Sequence, residues 1–510
     1  MIPTNHEAGT DEREHPHAEV PTKTRFLWGM GGFSDAMIYN GTGSLVNVIY
    51  VNALGVNAAL VNLACAIPRF LDFVTDPMVG HLSDNTRSRW GRRRPWMLAG
   101  LIISAVTTML LWYPPHAPAG GDWRTFAYLA VLMSLLYAVG YAFFCIPHAA
   151  MGYEMTTDYN ERTHLFKWRF TLFAVAGFLN PWSLPLAMWL EGPRAQGLRG
   201  AEGIITVSAI VAVLILLAGL PSVLFCKENV ADHRGVEKIG FLRAARLTLD
   251  NKPFRLLVIS NVITKFCMQV TGIFFAFIFL YHITQGDQRA GSAYLAIFFN
   301  ALNVFSLCSM APVAWLTDRM GKKNSLLTML MMSAFAYTSL WFTFTNVPGA
   351  FLHIPLPWGA SGNGFTLQWP CLITAALIGM FTSTIPMILN SMIADVCDLD
   401  ELKSGHRREA FYGAVFVTTD KIAMAVSLAL QGFLLVASGF DSKLDVQPVG
   451  TIHFWLLALI ITQPTGFLIG MLSIFIYPLS KTRLQQIRAE LNARKRLGGT
   501  CGTSVSGPIQ

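Results

Sequence analysis

Charge is scarce in this chain. Of 510 residues only 13% are Asp, Glu, Lys or Arg, whereas 53% are hydrophobic. A soluble globular protein of that length cannot cover its surface with so little charge. Cysteine is sparse too: the eight present form no Cys-x-x-Cys pair. Cys65, Cys145, Cys226, Cys267, Cys308, Cys371 and Cys397 lie in or at the ends of apolar runs and Cys501 in a polar tail, so neither a disulfide framework nor a metal-binding cysteine cluster is implied. No Gly-x-x-x-x-Gly-Lys-Ser/Thr loop occurs, which removes ATP-driven pumps and kinases of that type. The lack of His-Glu-x-x-His and Gly-x-Ser-x-Gly motifs likewise removes the membrane hydrolases that carry them. Residues 1–24 contain Glu, Asp and His where a cleavable signal needs an apolar core, so the first hydrophobic segment is expected to act as its own insertion signal.

What fills the chain instead is a series of apolar runs of roughly 20 residues, the length that crosses a hydrocarbon core of about 30 Å. Twelve are expected, at about 26–53, 58–82, 96–114, 125–150, 166–190, 203–226, 254–283, 291–316, 324–345, 368–394, 410–437 and 452–477. Their continuous apolar character excludes the alternating pattern of barrel strands, and helices satisfy their own backbone in lipid. The expected fold is therefore all-α. The net charge of +8 follows the loops and does not call for nucleic acid. Thirty of the 38 Lys and Arg residues fall in the two tails and the even-numbered connections with their flanking helix starts, five on the opposite side and three within helices. The positive-inside rule then predicts a multi-pass protein of the plasma or inner membrane with both termini cytoplasmic.

Two halves are legible. Gly80-His-Leu-Ser-Asp84 and Gly91-Arg92-Arg93-Arg94 follow helix two, while Trp315-Leu-Thr-Asp318-Arg319-Met-Gly321-Lys-Lys323 follows helix eight. Arg25 and Arg255 begin helices one and seven at an offset of 230. The organisation expected is a cytoplasmic tail (1–25), a six-helix bundle (26–226), a cytoplasmic linker (227–253), a second six-helix bundle (254–477) and a C-terminal tail (478–510). Residues 481–496 read as a short amphipathic helix and the last Gly-Ser-Thr-rich residues as disordered. Parallel halves with a substrate site between them are the plan of rocking secondary transporters.

Helix two carries the most informative residues. Arg69, Asp72 and Asp76 stand at i, i+3 and i+7 and so share one face over two turns. An ionised group at mid-membrane costs roughly 2.5–3.5 kcal/mol even on the mildest scale, so the face must point into the protein. A structural ion pair is the plainer account of Arg69, but one arginine leaves a carboxylate over. An unbalanced carboxylate in a membrane cavity is a cation or proton site. On helix seven, Asn261, Lys265 and Gln269 form a polar stripe every four residues. Lys265 corresponds to Asp35 at the offset of 230 and is expected to line the cavity, where it meets an anionic group, Asp35, or a structural carboxylate.

The loop after helix two resembles the signature of the major facilitator superfamily. Asp72-Phe-Val-Thr75-Asp76-Pro77 with Asp84-x-Thr86-x-Ser88-Arg89-Trp90-Gly91 and Arg94-Pro95-Trp96 further resembles the glycoside-pentoside-hexuronide:cation symporter family, which includes melibiose carriers. Two more blocks, Glu154-x-x-x-Asp158-x-x-Glu161-Arg162-Thr163 and Ala394-Asp395-Val-Cys-Asp398 through Glu409, occur in family order, with Arg169 and Lys421 following them. The resemblance implies cation-coupled symport of a sugar or glycoside. It makes Asp72 and Asp76 the coupling site, with Thr75 and Cys145 standing where sodium-coupled members have an Asn and an Asp. A thiol is a poor ligand for a hard cation, so proton coupling ranks at least level with sodium; if sodium is used, Asp72 and Asp76 hold it. The resemblance also implies that Asp35 and Arg169 bind substrate hydroxyls, with Cys145 beside them. Ser34 and Ala149 replace a Lys and a Trp of the melibiose site, so detailed melibiose-like binding is not expected. Lys421 has a family counterpart near the cavity and is expected among the substrate-binding residues, although its neighbour Asp420 offers a simpler neutralising partner.

Asp84, Arg92, Arg93, Arg94 and Asp318 read as gate residues, with Asp84 accepting from a helix N-terminus and the arginines pairing with acids of other connections in one conformational state. Lipid headgroup contact is the plainer role of the basic loops. The expected partners are a small sugar-like substrate, a coupling cation (H+ or Na+) and the bilayer, with no other cofactor and no enzymatic activity. A carrier of a non-sugar organic anion or lysolipid, or a non-transporting sensor, is the rival reading.

Overall fold

The structure, a computed structural model, describes residues 20–114, 122–156, 159–191, 202–226, 246, 248–284, 286–344, 351–354, 365–404, 408–444 and 446–500. Helices occupy all twelve expected segments. Helix α1 joins Thr22–Gly41, Gly43–Val46 and a π-helical stretch Asn47–Ala53. Then come α2 (Ala58–Asn85) and α3 (Arg94–Leu110), followed by α4, which runs Asp122–Ser134, Leu135–Tyr141 and Ala142–Glu154 together. Helix α5 covers Tyr159–Leu179 and, through a tight turn, Ser183–Leu190, and α6 is Glu202–Phe225. In the second half α7 joins Lys252–Thr271, Ile273–Phe277 and Ile278–Ile283, and α8 is Gln288–Met320. Helix α9 is Lys322–Thr338 with Leu340–Thr343, and α10 is Pro370–Thr382 with Ile385–Ser404. The last three are α11 (Glu409–Ala437), α12 (Val449–Phe475) and α13 (Lys481–Thr500). Ten of these segments are long and apolar enough to cross a membrane; Arg94–Leu110 is a shorter apolar helix, and α1, whose first piece alone has 20 residues, is long enough but less apolar. The chain is a multi-pass membrane protein.

Between α9 and α10 the structure adds an antiparallel pair that the sequence reading did not contain, β1 (Phe351–Ile354) and β2 (Phe365–Gln368), with Phe351 opposite Gln368. Most of the expected linker and the last ten residues lie outside the described residues. Helix α13 confirms an amphipathic helix after α12, burying Ile487 and Leu491.

The internal repeat is visible in the backbone. The π-helical ends of α1 and α7 begin at residues 47 and 278, an offset of 231. Prolines inside α2, α4, α6, α8 and α12 are tolerated because neighbouring helices and side chains re-satisfy the carbonyls they leave. Pro77 follows Asp76 directly and removes one intrahelical donor in the turn that carries the carboxylate.

Within the first half, α1 packs closely on α5 and α6. The glycines of Gly29-Met-Gly31-Gly32 permit this. A Cβ on Gly32 would lie 2.3 Å from the Arg169 carbonyl oxygen, and one on Gly31 would lie 2.3 Å from His148 Nε2. Helices α2 and α11 make the main seam between halves. We call the side where α1 starts and α12 ends the terminal face, and the other the distal face. Towards the distal face the halves touch directly: Ala58 abuts Gly432, whose missing Cβ would lie 2.3 Å from the Ala58 oxygen. Tyr281 donates to Asn52 Oδ1, and Asn303 donates to the Gly177 carbonyl at 3.2 Å. At the terminal face, by contrast, Arg25–Glu161, Arg92–Glu154, Arg93 with Asp84 and Glu154, Lys322–Asp395, Arg408–Asp400 and Arg488 with Asp395 and Asp398 each pair within one half. The cleft between the halves is closed distally and opens on the terminal face.

Candidate cation and substrate sites

Helix two turns its charged face inward as its spacing predicts. Arg69 and Asp72 are buried, and Arg69 Nη1 lies 3.5 Å from Asp72 Oδ2. The guanidinium also lies over the ring of Tyr137 at 4.2 Å and of Tyr39 at 4.9 Å. Two aromatic faces and one carboxylate thus hold a cation that lipid would reject. The aromatic partners come from α1 and α4 and have no signature in the α2 sequence.

The second carboxylate has its own partner. Lys421 of α11 reaches across the seam, donating to Asp76 Oδ2 and standing 3.7 Å from Asp72 Oδ2. One ammonium group therefore sits on both carboxylates, and it comes from the opposite half. Asp420 does not neutralise it. Consecutive residues on a helix point about 100° apart, and Asp420 instead accepts from Lys265 Nζ at 3.1 Å and from Asn261 Nδ2 at 3.1 Å. Lys265 accordingly meets Asp420 and not Asp35. Thr75 donates to the Leu71 carbonyl one turn back at 3.2 Å, along its own helix.

Asp35 is paired within its own half. Arg169 Nη2 donates to Asp35 Oδ2 at 2.8 Å and lies 3.8 Å from Cys145 Sγ. Asp35 Oδ1 is buried without a hydrogen-bond partner. His148, one turn beyond Cys145, was not singled out from sequence. It is fully buried, stacked between Trp28 (4.7 Å) and Phe144 (5.3 Å), and its Nε2 is 3.0 Å from the Trp28 carbonyl oxygen. A lone histidine in an apolar run carries no signal that separates this packing role from a ligand role.

The two ion pairs lie at matching depth. Tyr39, one turn beyond Asp35, places its hydroxyl 3.6 Å from Sδ of Met424, one turn beyond Asp420. Helices α1 and α11 both run from the terminal to the distal face, so Asp35 and Asp420 each lie one turn nearer the open side than that contact. Asp35–Arg169 and Asp420–Lys265 thereby lie at the same depth in opposite halves, one turn below the Tyr39–Met424 contact that joins them. The Lys265 and Asp420 side chains are 40% and 34% exposed, which at mid-helix means a hydrated cleft.

The gate residues form separate clusters. Arg93 donates to Asp84 Oδ1 and to Glu154 Oε1, both at 2.8 Å, and Arg92 donates to Glu154 Oε2 at 2.7 Å. Asp84 is thus engaged by a guanidinium, where sequence suggested a helix N-terminus. Arg94 donates to the Cys226 carbonyl. In the second half Lys322 pairs with Asp395 at 2.7 Å, Arg488 with Asp395 at 3.0 Å, and Lys481 donates to the Asp318 carbonyl at 2.5 Å. The clusters occupy equivalent helices: α2, α3 and α4 in one half and α8, α9 and α10 in the other.

Two six-helix halves, a cleft between them and buried charges lining it define a secondary-carrier architecture. Residues 27–481 match the family of MFS/sugar transport proteins, and the chain belongs to that family. It is 25% identical to an uncharacterized symporter, sll1374, of Synechocystis sp., over 93% of this chain and 97% of that one. It is 22% identical to the isoprimeverose transporter of Lactiplantibacillus pentosus, over 93% of each. The crystal structure of nucleoside transporter NupG superposes with a TM-score of 0.61 at 12% identity, covering 89% of this chain and all of that one; at that identity the likeness concerns the fold. The chain is also 24% identical to a putative glycoside/cation symporter, YagG, of Escherichia coli, over 93% of this chain and 95% of that one, in agreement with the resemblance seen in the motifs.

Proposed function

We propose that the protein is a cation-coupled symporter of a sugar or glycoside, here in its inward-open state, with the terminal face cytoplasmic. The observation that carries this reading is the Lys421 ammonium on Asp76 and Asp72. It is an internal cation, seated where a transported cation would neutralise the same carboxylates. With Lys421 in place the empty carrier has no uncompensated carboxylate in lipid and can reorient. When a cation arrives from outside it takes the carboxylates, and Lys421 leaves them. Substrate then bridges Asp35–Arg169 and Lys265–Asp420, and a half-loaded carrier is held back by the charge left unpaired.

A proton suits this site better than sodium. A hard cation needs several oxygen ligands, whereas Thr75 directs its hydroxyl to Leu71 and Cys145 lies with Arg169. Carboxylate and guanidinium together accept and donate to vicinal hydroxyls, which favours a polyol substrate. The basic charge of the terminal face supports its cytoplasmic assignment. Uptake into proteoliposomes tests the whole: an imposed inward proton gradient is expected to concentrate a glycoside of the type this protein carries, and Asp72→Asn and Asp76→Asn are expected to abolish concentration. Uphill transport undiminished in both variants would refute the coupling assignment.

A further inference from the structure

A pocket of about 290 Å³ lies outside the transport cleft, at the terminal end of the second half, where α8 turns into α9 and α13 folds back over α10. Its lining includes Lys322, Lys323, Lys481, Arg488 and Tyr477. Lys322 and Arg488 are engaged by Asp395, and Arg488 also by Asp398 at 3.2 Å. Lys323 and Lys481 differ: their partners among the described residues are the carbonyls of Phe475, Tyr477 and Asp318. Against these two ammonium groups the pocket sets the one carboxylate of Asp318, so a positive charge is left in excess.

Two further features point the same way. Helices α9 and α13 both start here, after Gly321 (φ 83°) and Ser480, and the first-turn amides of Lys322 and Lys323 precede the first intrahelical bond of α9, from the Ser325 amide to the Gly321 carbonyl. Tyr477, 1% exposed, presents a hydroxyl with no hydrogen-bond partner. A buried phenol left without an acceptor costs free energy, and an anion in the pocket would supply the acceptor. Beside this pocket, Leu472, Phe475 and Ile476 at the end of α12 are 60–72% exposed, a surface suited to acyl chains.

We propose that this pocket binds a phosphate group, presented by an anionic phospholipid of the surrounding leaflet, with Lys323, Lys481 and the Tyr477 hydroxyl as donors. The proposal is independent of substrate and coupling ion. The test uses the full-length protein in neutral detergent, read by native mass spectrometry and thermal melting with phosphatidylglycerol, phosphatidylcholine or inorganic phosphate. Phosphatidylglycerol is expected to stay bound and to raise the melting midpoint above that in phosphatidylcholine. Tyr477→Phe is expected to weaken binding by about tenfold, Lys323→Gln with Lys481→Gln to abolish the preference, and Lys323→Arg to retain it. Equal effects of the two lipids on the parent, or unchanged binding in both Tyr477→Phe and the double variant, would overturn the site. A shift produced equally by inorganic phosphate would overturn the lipid as its source.

Discussion

Lys421→Gln separates an internal cation from a purely structural lysine. The ammonium is 3.7 Å from Asp72 and closer still to Asp76, and the Lys421 and Asp76 side chains are 30% and 33% exposed. A unit charge pair at about 4 Å is worth roughly 4 kcal/mol at the effective dielectric of a protein surface. Removing one partner of a buried pair costs about 3–5 kcal/mol. Partial exposure lets water take up some of that, so about 2–3 kcal/mol is the expected loss for the inward-open empty carrier, or roughly 30- to 160-fold in an equilibrium constant. Glutamine keeps the length of the side chain and removes only the charge.

Two consequences follow for that variant. The coupling cation no longer competes with an internal one, so its apparent affinity rises by one to two orders of magnitude. The empty carrier, with two carboxylates and only Arg69 beside them, returns slowly, so net accumulation falls while exchange of internal for external substrate persists. Both are measurable in proteoliposomes, by counterflow against gradient-driven uptake. A Lys421→Gln variant that concentrates substrate like the parent, with an unchanged cation midpoint, would refute the role of Lys421 as internal cation.

Proton coupling predicts that an imposed pH gradient drives uptake in sodium-free buffer and that a sodium gradient at fixed pH does not; the reverse outcome would reassign Asp72 and Asp76 to sodium. Lys265→Ala is expected to weaken substrate binding by about tenfold, through loss of a charge-assisted contact, with the cation response retained. An unchanged substrate midpoint would remove Lys265 and Asp420 from the cleft wall. Gly32→Val forces side-chain atoms against a carbonyl 2.3 Å from the position of its Cβ; overpacking of this kind costs about 1–3 kcal/mol or more, and a melting midpoint equal to that of the parent would refute the close packing of α1 on α5.

The fold was legible because its signals are long and redundant: apolar runs place the helices, and the repeat between the two Gly-and-basic loops places the halves. Arg69, Asp72 and Asp76 were legible for the same reason, since spacing along one helix fixes a shared face. Partners across helices were not. The rings of Tyr39 and Tyr137 under Arg69 come from two other helices, and the sequence contains nothing that links Lys265 to Asp420 over Asp35. Of the two roles open to Lys421, a place at the cavity or neutralisation by Asp420, the structure shows the first, because adjacency in sequence is separation on a helix. His148 and the Tyr477 hydroxyl carried no pattern at all; only burial against named neighbours distinguishes them.

Asp420 and Lys421 also suggest how the two sites communicate. They are neighbours on α11, yet Asp420 closes an ion pair inside the second half and Lys421 reaches the first half. On the proposed mechanism, the helix that contacts substrate at Lys265–Asp420 is thus the one that supplies the internal cation to Asp76. Because both side chains hang from one helix, a small rotation or translation of α11 moves both contacts at once. Substrate that draws Asp420 towards the cleft wall would lift Lys421 from Asp76 and leave the carboxylates open to the cation. The coupling is reciprocal by linkage: a cation bound at Asp72 and Asp76 should raise substrate affinity by the same factor that substrate raises cation affinity. Equilibrium binding measured in both directions checks that equality, and Lys421→Gln should reduce both factors towards one. Cooperativity that survives the substitution intact would locate the coupling in another element than α11.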